Sequence, residues 1–470
     1  MTGTVAAVDL GATSGRVVLG HVGAGELRIE PLARFANAPV RTPDGLHWSV
    51  LELYRGVVEG LAAAVRAEPE LASIGIDSWA VDYGLLREGR LLGNPYSYRD
   101  ERTAAAVQRV HARVSPAELY ARNGLQHLPF TTLFQLDADR DAGALTLADR
   151  MLLLPDLLAH WLTGAAVAER TNASTTGLVG VASGEWDAEL AARVELPAGI
   201  LPPLVDAGTA LGGLLPTASR GIGATAAVVT AVGSHDTASA VVAVPAADAE
   251  VAYISCGTWS LVGVELERPV LGEASRLAGF TNEGGVDGRV RYLHNVMGLW
   301  LLSECIRDWE RDGERIDLAP LLAAASAVSI PVPVFDADDP GFLSPGGMPE
   351  RIGAWLAAHD LPVPASRAEL VRSILESLAA AYARAIRTAS ELSGLRVRAV
   401  HLVGGGSNNE LLCRLTADAT GLPVFAGPDE ATAIGNVLVQ ARALGLMSGS
   451  LESLRSLVAR AFPPRTYLPR

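Results

Sequence analysis

The stretch Asp9-Leu10-Gly11-Ala12-Thr13-Ser14-Gly15-Arg16 sets a carboxylate, two hydroxyls, two glycines and a guanidinium within one short turn. Small residues let backbone N–H groups approach an anion closely, the hydroxyls of Thr13 and Ser14 add donors, and Arg16 supplies a fixed positive charge. Asp9, beside such an anion, is suited to hold Mg2+ directly or through water, because magnesium takes few carboxylates and keeps several waters. The same residues also describe an ordinary glycine-rich hairpin capped by aspartate. A second loop, Ser255-Cys256-Gly257-Thr258-Trp259-Ser260, offers similar donors without the carboxylate. Two phosphate loops in one chain are less ordinary than one.

Asp236, in Gly233-Ser234-His235-Asp236-Thr237, is the candidate for proton transfer. Phosphoryl transfer asks for a metal, donors, alignment and one carboxylate to take the hydroxyl proton. The helix expected to start here adds free N–H groups. The competing reading is an N-cap aspartate with no chemistry, which is the usual fate of Asp at a helix start. His235 suits either a sugar hydroxyl or a structural hydrogen bond. Gly404-Gly405-Gly406-Ser407-Asn408-Asn409 can let a flat base or ribose lie against the backbone, with Asn408 as a donor, or can be a plain strand-to-helix turn. Trp79, Asp82 and Asn295 are of the aromatic and polar types that bind sugars, whereas Trp300 reads as core.

The elements that must position these residues occur twice. Val5 to Val8 is an apolar run leading into the first loop, and Val17 to Leu19 follows it; Val251 to Ile254 and Leu261 to Val264 flank the second loop in the same way. Val5 aligns on Val251, Asp9 on Ser255 and Gly11 on Gly257 without a gap. Later in each half a buried strand follows an alanine-rich helix, at Ser73 to Trp79 and at Ala399 to Gly406. Near each half's end a helix opens on small and acidic residues, at Gly233 to Ser239 and Pro428 to Gly435. This pattern predicts two α/β domains, 1–244 and 245–470, divided at Pro245-Ala246-Ala247-Asp248. The Pro- and Gly-rich run from Ile330 to Met348 reads as a surface loop.

Composition removes other classes. A net charge of −14 argues against nucleic acid as a partner. The chain contains no lysine, so its 38 basic residues are all arginine. That excludes the P-loop GKS/T motif, Schiff-base aldolases and pyridoxal enzymes, each of which needs an amine at its centre. Neither a membrane-length apolar run nor a charged leader is present, which predicts a cytoplasmic protein. Cys256, Cys305 and Cys413 are widely spaced and read as buried thiols.

Twelve motifs in order from residue 8 to residue 436 then resemble one family: VDLGATSGR, GIDSWAVDYGLL, YRDERT, LPFTTLFQL, LLPDLLAHWLTG, TNASTTGL, GSHDTASAV, SCGTWSLVG, TNEGG, HNVMGLWLL, HLVGGGSNNELL and AGPDEATAIGN. Together they are similar to the FGGY carbohydrate kinases. The resemblance implies two ribonuclease H-like domains, the architecture of actin-like ATPases, facing across a catalytic cleft and closing over ATP and sugar. It implies a phosphate loop at Ala12, Thr13, Ser14, Gly15 and Arg16, a metal-linked aspartate at Asp9 and the proton acceptor at Asp236. Implied sugar contacts are Ala80, His235, Asp236, Thr237 and Asn295; implied nucleotide contacts are Thr258 and Gly405. The implied reaction uses ATP and Mg2+ to phosphorylate O1 of the deoxyketose L-rhamnulose, with another ketose such as L-fuculose as the alternative. A non-enzymatic actin-like ATPase has no sugar hydroxyl to deprotonate, and Asp236 beside His235 argues against it. Two positions depart from the pattern: Ala80 stands where glycine is frequent, and Ser303 where a glutamine commonly meets the nucleotide. Both bear on the ligand pockets more than on the chemistry.

Overall fold

The computed structural model describes every residue except 1, 24, 247 and 312; Ala247, part of the expected boundary, therefore lies outside the described residues. The chain forms two compact units. Unit 1 comprises Met1–Ala243, Glu265–Tyr292 and Ala431–Ala461, and unit 2 the remainder.

Unit 1 is built on strands β1 (Gly3–Leu10), β2 (Ser14–Gly23) and β3 (Glu26–Ala36), helix α1 (Val50–Ala67), strands β4 (Ser73–Ser78), β5 (Ala210–Gly213) and β6 (Val228–Thr230), and helix α2 (Asp236–Val242). The sheet runs β5-β6-β4-β1-β2-β3. β1 and β4 are buried almost throughout, as expected for central parallel strands covered on both faces, whereas edge strand β3 is largely exposed. Helix α1 turns Leu53, Val57, Leu61 and Ala64 inward. Gly60 lets it come close to the sheet, since a Cβ there would meet Val17 Cγ2 at 2.4 Å. Between β4 and β5 the chain builds its own apolar core around Leu133, Phe134, Met151 and Leu190.

Unit 2 contains β7 (Val251–Cys256), β8 (Ser260–Leu266), α3 (Arg367–Ser393), β9 (Ala399–Val403), α4 (Glu410–Thr420), β10 (Val424–Ala426) and β11 (Arg465–Tyr467), adjacent in the order β8-β7-β9-β10-β11. The predicted repetition is visible in the register. β1 pairs antiparallel with β2 and parallel with β4, Val5 opposite Ser73. β7 pairs antiparallel with β8 and parallel with β9, Val251 opposite Ala399. The run from Ile330 to Met348 is less of a surface loop than its composition suggests, because Phe335, Phe342 and Met348 are buried.

A division of the chain into 1–244 and 245–470 does not coincide with the compact units. Glu265–Tyr292 and the segment carrying α5 (Ala431–Ala443) and α6 (Leu451–Ala461) pack in unit 1. α5 is buried along nearly its whole length and lies against β1, β4 and α2. Gly435 makes that approach possible: a Cβ there would fall 1.8 Å from Ser239 O on α2.

Candidate active site

Parallel pairing of β1 with β4 sets Asp9 opposite Asp77, and the hairpin sets Arg16 opposite Asp9. Arg16 Nε lies 3.2 Å from Asp9 Oδ2. Asp77 is fully buried; burial raises its carboxyl well above the usual range, the charges of Asp9 and Asp236 add to that, and a hydrogen bond from Asn436 opposes it. Asn436 Nδ2 donates to Asp77 Oδ2 at 2.6 Å, while Asp77 Oδ1 has no hydrogen-bond partner. With Asp77 favouring its protonated form, Asp9 beside Arg16 is the charged carboxylate of this pair and the group suited to a hydrated divalent cation. Among the described residues, no group of three or more His, Cys, Asp or Glu is placed to hold a metal ion.

The first loop is held from behind. Gly11 N donates to Ser14 O at 2.9 Å, Asn37 N to Thr13 O at 3.0 Å and Asn37 Nδ2 to Gly11 O at 2.9 Å. Ala12 and Ser14 are half-buried, Thr13 is exposed at the tip, and Gly15 is buried against Phe35, where a Cβ would sit 2.3 Å from the ring.

Asp236 is not the helix cap; His235 occupies that position and Asp236 is the first residue of α2. Its Oδ1 accepts from Thr237 N at 2.5 Å and Thr237 Oγ1 at 3.1 Å, and His235 Nε2 lies 3.4 Å away. The side chain remains 31% exposed, so a ligand can reach it. The loop before it is gripped by a carboxylate. Glu169 Oε2 accepts from both Ser234 N and Ser234 Oγ at 3.0 Å. Ser234 O in turn accepts from Ser78 N at 2.9 Å and Asn172 Nδ2 at 3.2 Å. Burial raises the Glu169 carboxyl even against these donors.

Ala80 is half-buried on a three-residue turn closed by Asp82 N donating to Ala80 O at 3.0 Å. Val81, at its centre, has φ 69°, a rare and strained setting for a β-branched residue. Thr132 Oγ1 and Gln135 Nε2 donate to Val81 O and hold it there. Asp82, expected to touch sugar, is 1% exposed and already committed. Its oxygens accept from Trp48 Nε1 at 2.6 Å, Trp79 Nε1 at 2.9 Å, Gln135 Nε2 at 3.0 Å and Tyr98 N at 3.2 Å. It braces the two indoles rather than offering an oxygen to a ligand. Burial outweighs these four donors and pushes its carboxyl up to about 6.

In unit 2, Gly257 N donates to Trp259 O at 2.8 Å, and Trp300 N to Thr258 O at 3.0 Å, which ties down the second loop. Gly404, at φ 82°, and Gly406 pass so close to Cys256 that only glycine fits, whereas Gly405 is exposed with nothing within 4 Å of a Cβ. Asn408 is occupied by Asp429 and Arg465. Asn295 belongs to unit 2 and Trp300 is core, donating to Phe342 O at 3.0 Å. Cys256, Cys305 and Cys413 are free and buried, as expected. Unit 1 therefore gathers Asp9, the first loop, Ala80, Asp82, His235, Asp236 and Thr237, and unit 2 carries Thr258, Gly405 and Asn295. Sequence reasoning did not single out Asp77, Glu169, Glu283, Arg291 or Asn436. A charge inside the apolar run of β4 was the available signal for Asp77; the others are defined by distant partners.

Both halves match a family of enzymes that transfer phosphate to sugars. Residues 4–243 match the N-terminal domain of the FGGY family of carbohydrate kinases and residues 252–444 its C-terminal domain. The chain belongs to the FGGY family and is a carbohydrate kinase with two ribonuclease H-like α/β domains. It is 40% identical to a rhamnulokinase of Bacteroides thetaiotaomicron over 467 residues, 99% of this chain and 95% of that one. It is 41% identical to a rhamnulokinase of Pectobacterium carotovorum over 473 residues, 99% and 93% of the two chains. Its fold is similar to that of gluconate kinase from Lactobacillus acidophilus, with TM-score 0.80, 17% identity, and 100% and 94% of the two chains covered.

Proposed function

We propose that this kinase transfers the γ-phosphoryl group of ATP to O1 of L-rhamnulose, with Asp236 as proton acceptor, in the breakdown of L-rhamnose. The observation that carries the substrate is the end-to-end identity of 40% and 41% with two proteins named rhamnulokinase. Asp236 suits its role because one carboxylate oxygen is held by Thr237 while the side chain stays open to a ligand. In this reading Ala12 to Arg16 receive the phosphates, Thr258 and Gly405 the nucleotide, and Ala80, Thr237 and Asn295 the sugar, with the His235 ring beside Asp236. Asp82 acts behind the sugar-facing turn by holding Trp48 and Trp79.

Asp9, with Asp77 behind it, would hold Mg2+ through its waters, and the ion neutralises charge on the phosphates when bound. The reaction is taken to be cytoplasmic, where ATP is held and where three unpaired cysteines are ordinary. Among the described residues no helix is long and apolar enough to cross a membrane.

The test is ADP release with ATP and Mg2+ across L-rhamnulose, L-fuculose, L-ribulose, L-xylulose and D-xylulose, beside a no-sugar control. The expected result is the highest kcat/KM with L-rhamnulose. Preference for another ketose would keep the kinase and trace the difference to the extra methyl of Ala80 on its strained turn; sugar-independent hydrolysis alone would overturn the reading. Asp236→Asn is expected to bind both substrates and to lose about 10²- to 10⁴-fold in kcat. Near-normal turnover in that variant would remove the base assignment.

A further inference from the structure

His235 stands between Asp236 and a buried ion pair from a distant part of the chain. Arg291 is completely buried, its Nε donates to Gly284 O at 3.0 Å, and its Nη1 lies 3.0 Å from Glu283 Oε2. Its Nη2 makes a hydrogen bond of 3.0 Å to His235 Nδ1. A guanidinium has only donors, so Nδ1 must be the acceptor. Glu283 Oε2 lies 3.3 Å from the same nitrogen and 3.0 Å from Arg291 Nη1, so its charge is met by the guanidinium that donates to Nδ1. A neutral imidazole that accepts at Nδ1 carries its proton at Nε2, and Nε2 is the atom that lies 3.4 Å from Asp236 Oδ1. The other tautomer would set an N–H against the guanidinium and a bare nitrogen against a carboxylate.

We propose that Arg291 is a positioning residue that fixes His235 as the Nε2–H tautomer, so that histidine is a donor and never a base at this site. Thr237 N and Thr237 Oγ1 donate to Asp236 Oδ1, and His235 Nε2–H then faces the same oxygen from 3.4 Å. Oδ2 is left as the oxygen that takes the sugar proton. The O–H bond of the sugar breaks as its oxygen bonds to the γ-phosphorus, the P–O bond to ADP breaks, and the proton comes to rest on Asp236 Oδ2. The proposal rests on the reading of Asp236 as proton acceptor and adds how the choice between its two oxygens is made. Arg291 and Glu283 come from the 265–292 segment that packs in unit 1, which gives that excursion a part in the site.

The test is a long-range ¹H–¹⁵N correlation spectrum of the full chain labelled with ¹⁵N-histidine, near pH 8, with the His235 signals assigned by their loss in His235→Asn. The expected pattern is a bare Nδ1 and a protonated Nε2. A protonated Nδ1, as the other tautomer or as imidazolium, overturns the proposal without reference to turnover. Arg291→Met strands Glu283, so the informative variant is Arg291→Met/Glu283→Gln, which removes the pair together. It should show mixed tautomers and a kcat lower by roughly tenfold to hundredfold at unchanged KM for ATP, with Arg291→Lys recovering most of both. An unaltered His235 spectrum in the double variant would refute the role of Arg291. Failure of the Asp236 reading appears separately, as turnover retained in Asp236→Asn.

Discussion

Gly435→Ala changes one hydrogen to a methyl at the crossing of α5 and α2. The added Cβ would lie 1.8 Å from Ser239 O, 2.6 Å from Ser239 C and 3.1 Å from Ser239 Cα, all backbone atoms that no rotamer change can move. An ordinary contact between carbon and a carbonyl oxygen is about 3.3 Å, so the helices must part by about 1.5 Å. Overpacking of this kind costs about 1 to 3 kcal/mol, and a backbone-to-backbone clash belongs at the upper end. In a chain of this size that lowers Tm by about 3 °C. Asp236 begins the displaced helix, and a misplacement of about 1 Å at a reacting centre costs on the order of a hundredfold in rate. Gly353 supplies the control. It lies inside the helix Met348–Ala358, and its added Cβ would meet only Val363 Cγ1 at 3.5 Å. Gly353→Ala should therefore stabilise by about 0.5 to 1 kcal/mol, the ordinary gain from replacing glycine in a helix interior. Thermal unfolding by circular dichroism and a coupled ADP assay measure both variants. A Gly435→Ala enzyme with Tm within a degree and kcat/KM within twofold of the parent would refute the argument that this glycine sets the position of α2.

Asp82 gives a pH signature. Its folded carboxyl sits at about 6, above the ordinary 3.8, because of burial, so the fold favours its protonated form. The cost of ionising it, about 3 kcal/mol, is absent below pH 4 and complete above about pH 6. Stability of the parent relative to Asp82→Asn should fall as pH rises through that window; a constant difference in urea titrations from pH 4 to pH 7 would contradict it. Gly406→Ala would put a Cβ 2.1 Å from Cys256 Sγ, lowering Tm and raising KM for ATP. Adding Cys256→Ala should restore part of both, and strictly additive losses would show that the contact is not the cause.

The loops that carry the candidate chemistry were legible because each is local. Asp9 to Arg16 and Ser255 to Ser260 are small-residue turns between apolar runs, and the structure makes both of them antiparallel hairpins. The repetition was legible for the same reason, and the pairings of Val5 with Ser73 and Val251 with Ala399 follow the two correspondences. Asp82 shows where local reading stops. Its position in GIDSWAVDY suggested a ligand contact, but the Trp79 indole of the same motif and, from elsewhere in the chain, the Trp48 indole, Gln135 and the Tyr98 N–H consume its oxygens.

By itself, the sequence determined the α/β class, the duplicated strand-loop-strand, the family and the identity of the candidate proton acceptor. Periodicity, turn chemistry and motif order are all properties of neighbouring residues. Only the tertiary structure decided that Glu265–Tyr292 and Ala431–Ala461 pack in unit 1, bringing Glu283 and Arg291 to His235 and Asn436 to Asp77. Those partners are separated from the groups they orient by 56 residues for Arg291 and 359 for Asn436. At such separations the pairing is selected by burial, because a buried charge or carboxamide must find its complement wherever the packed chain brings one.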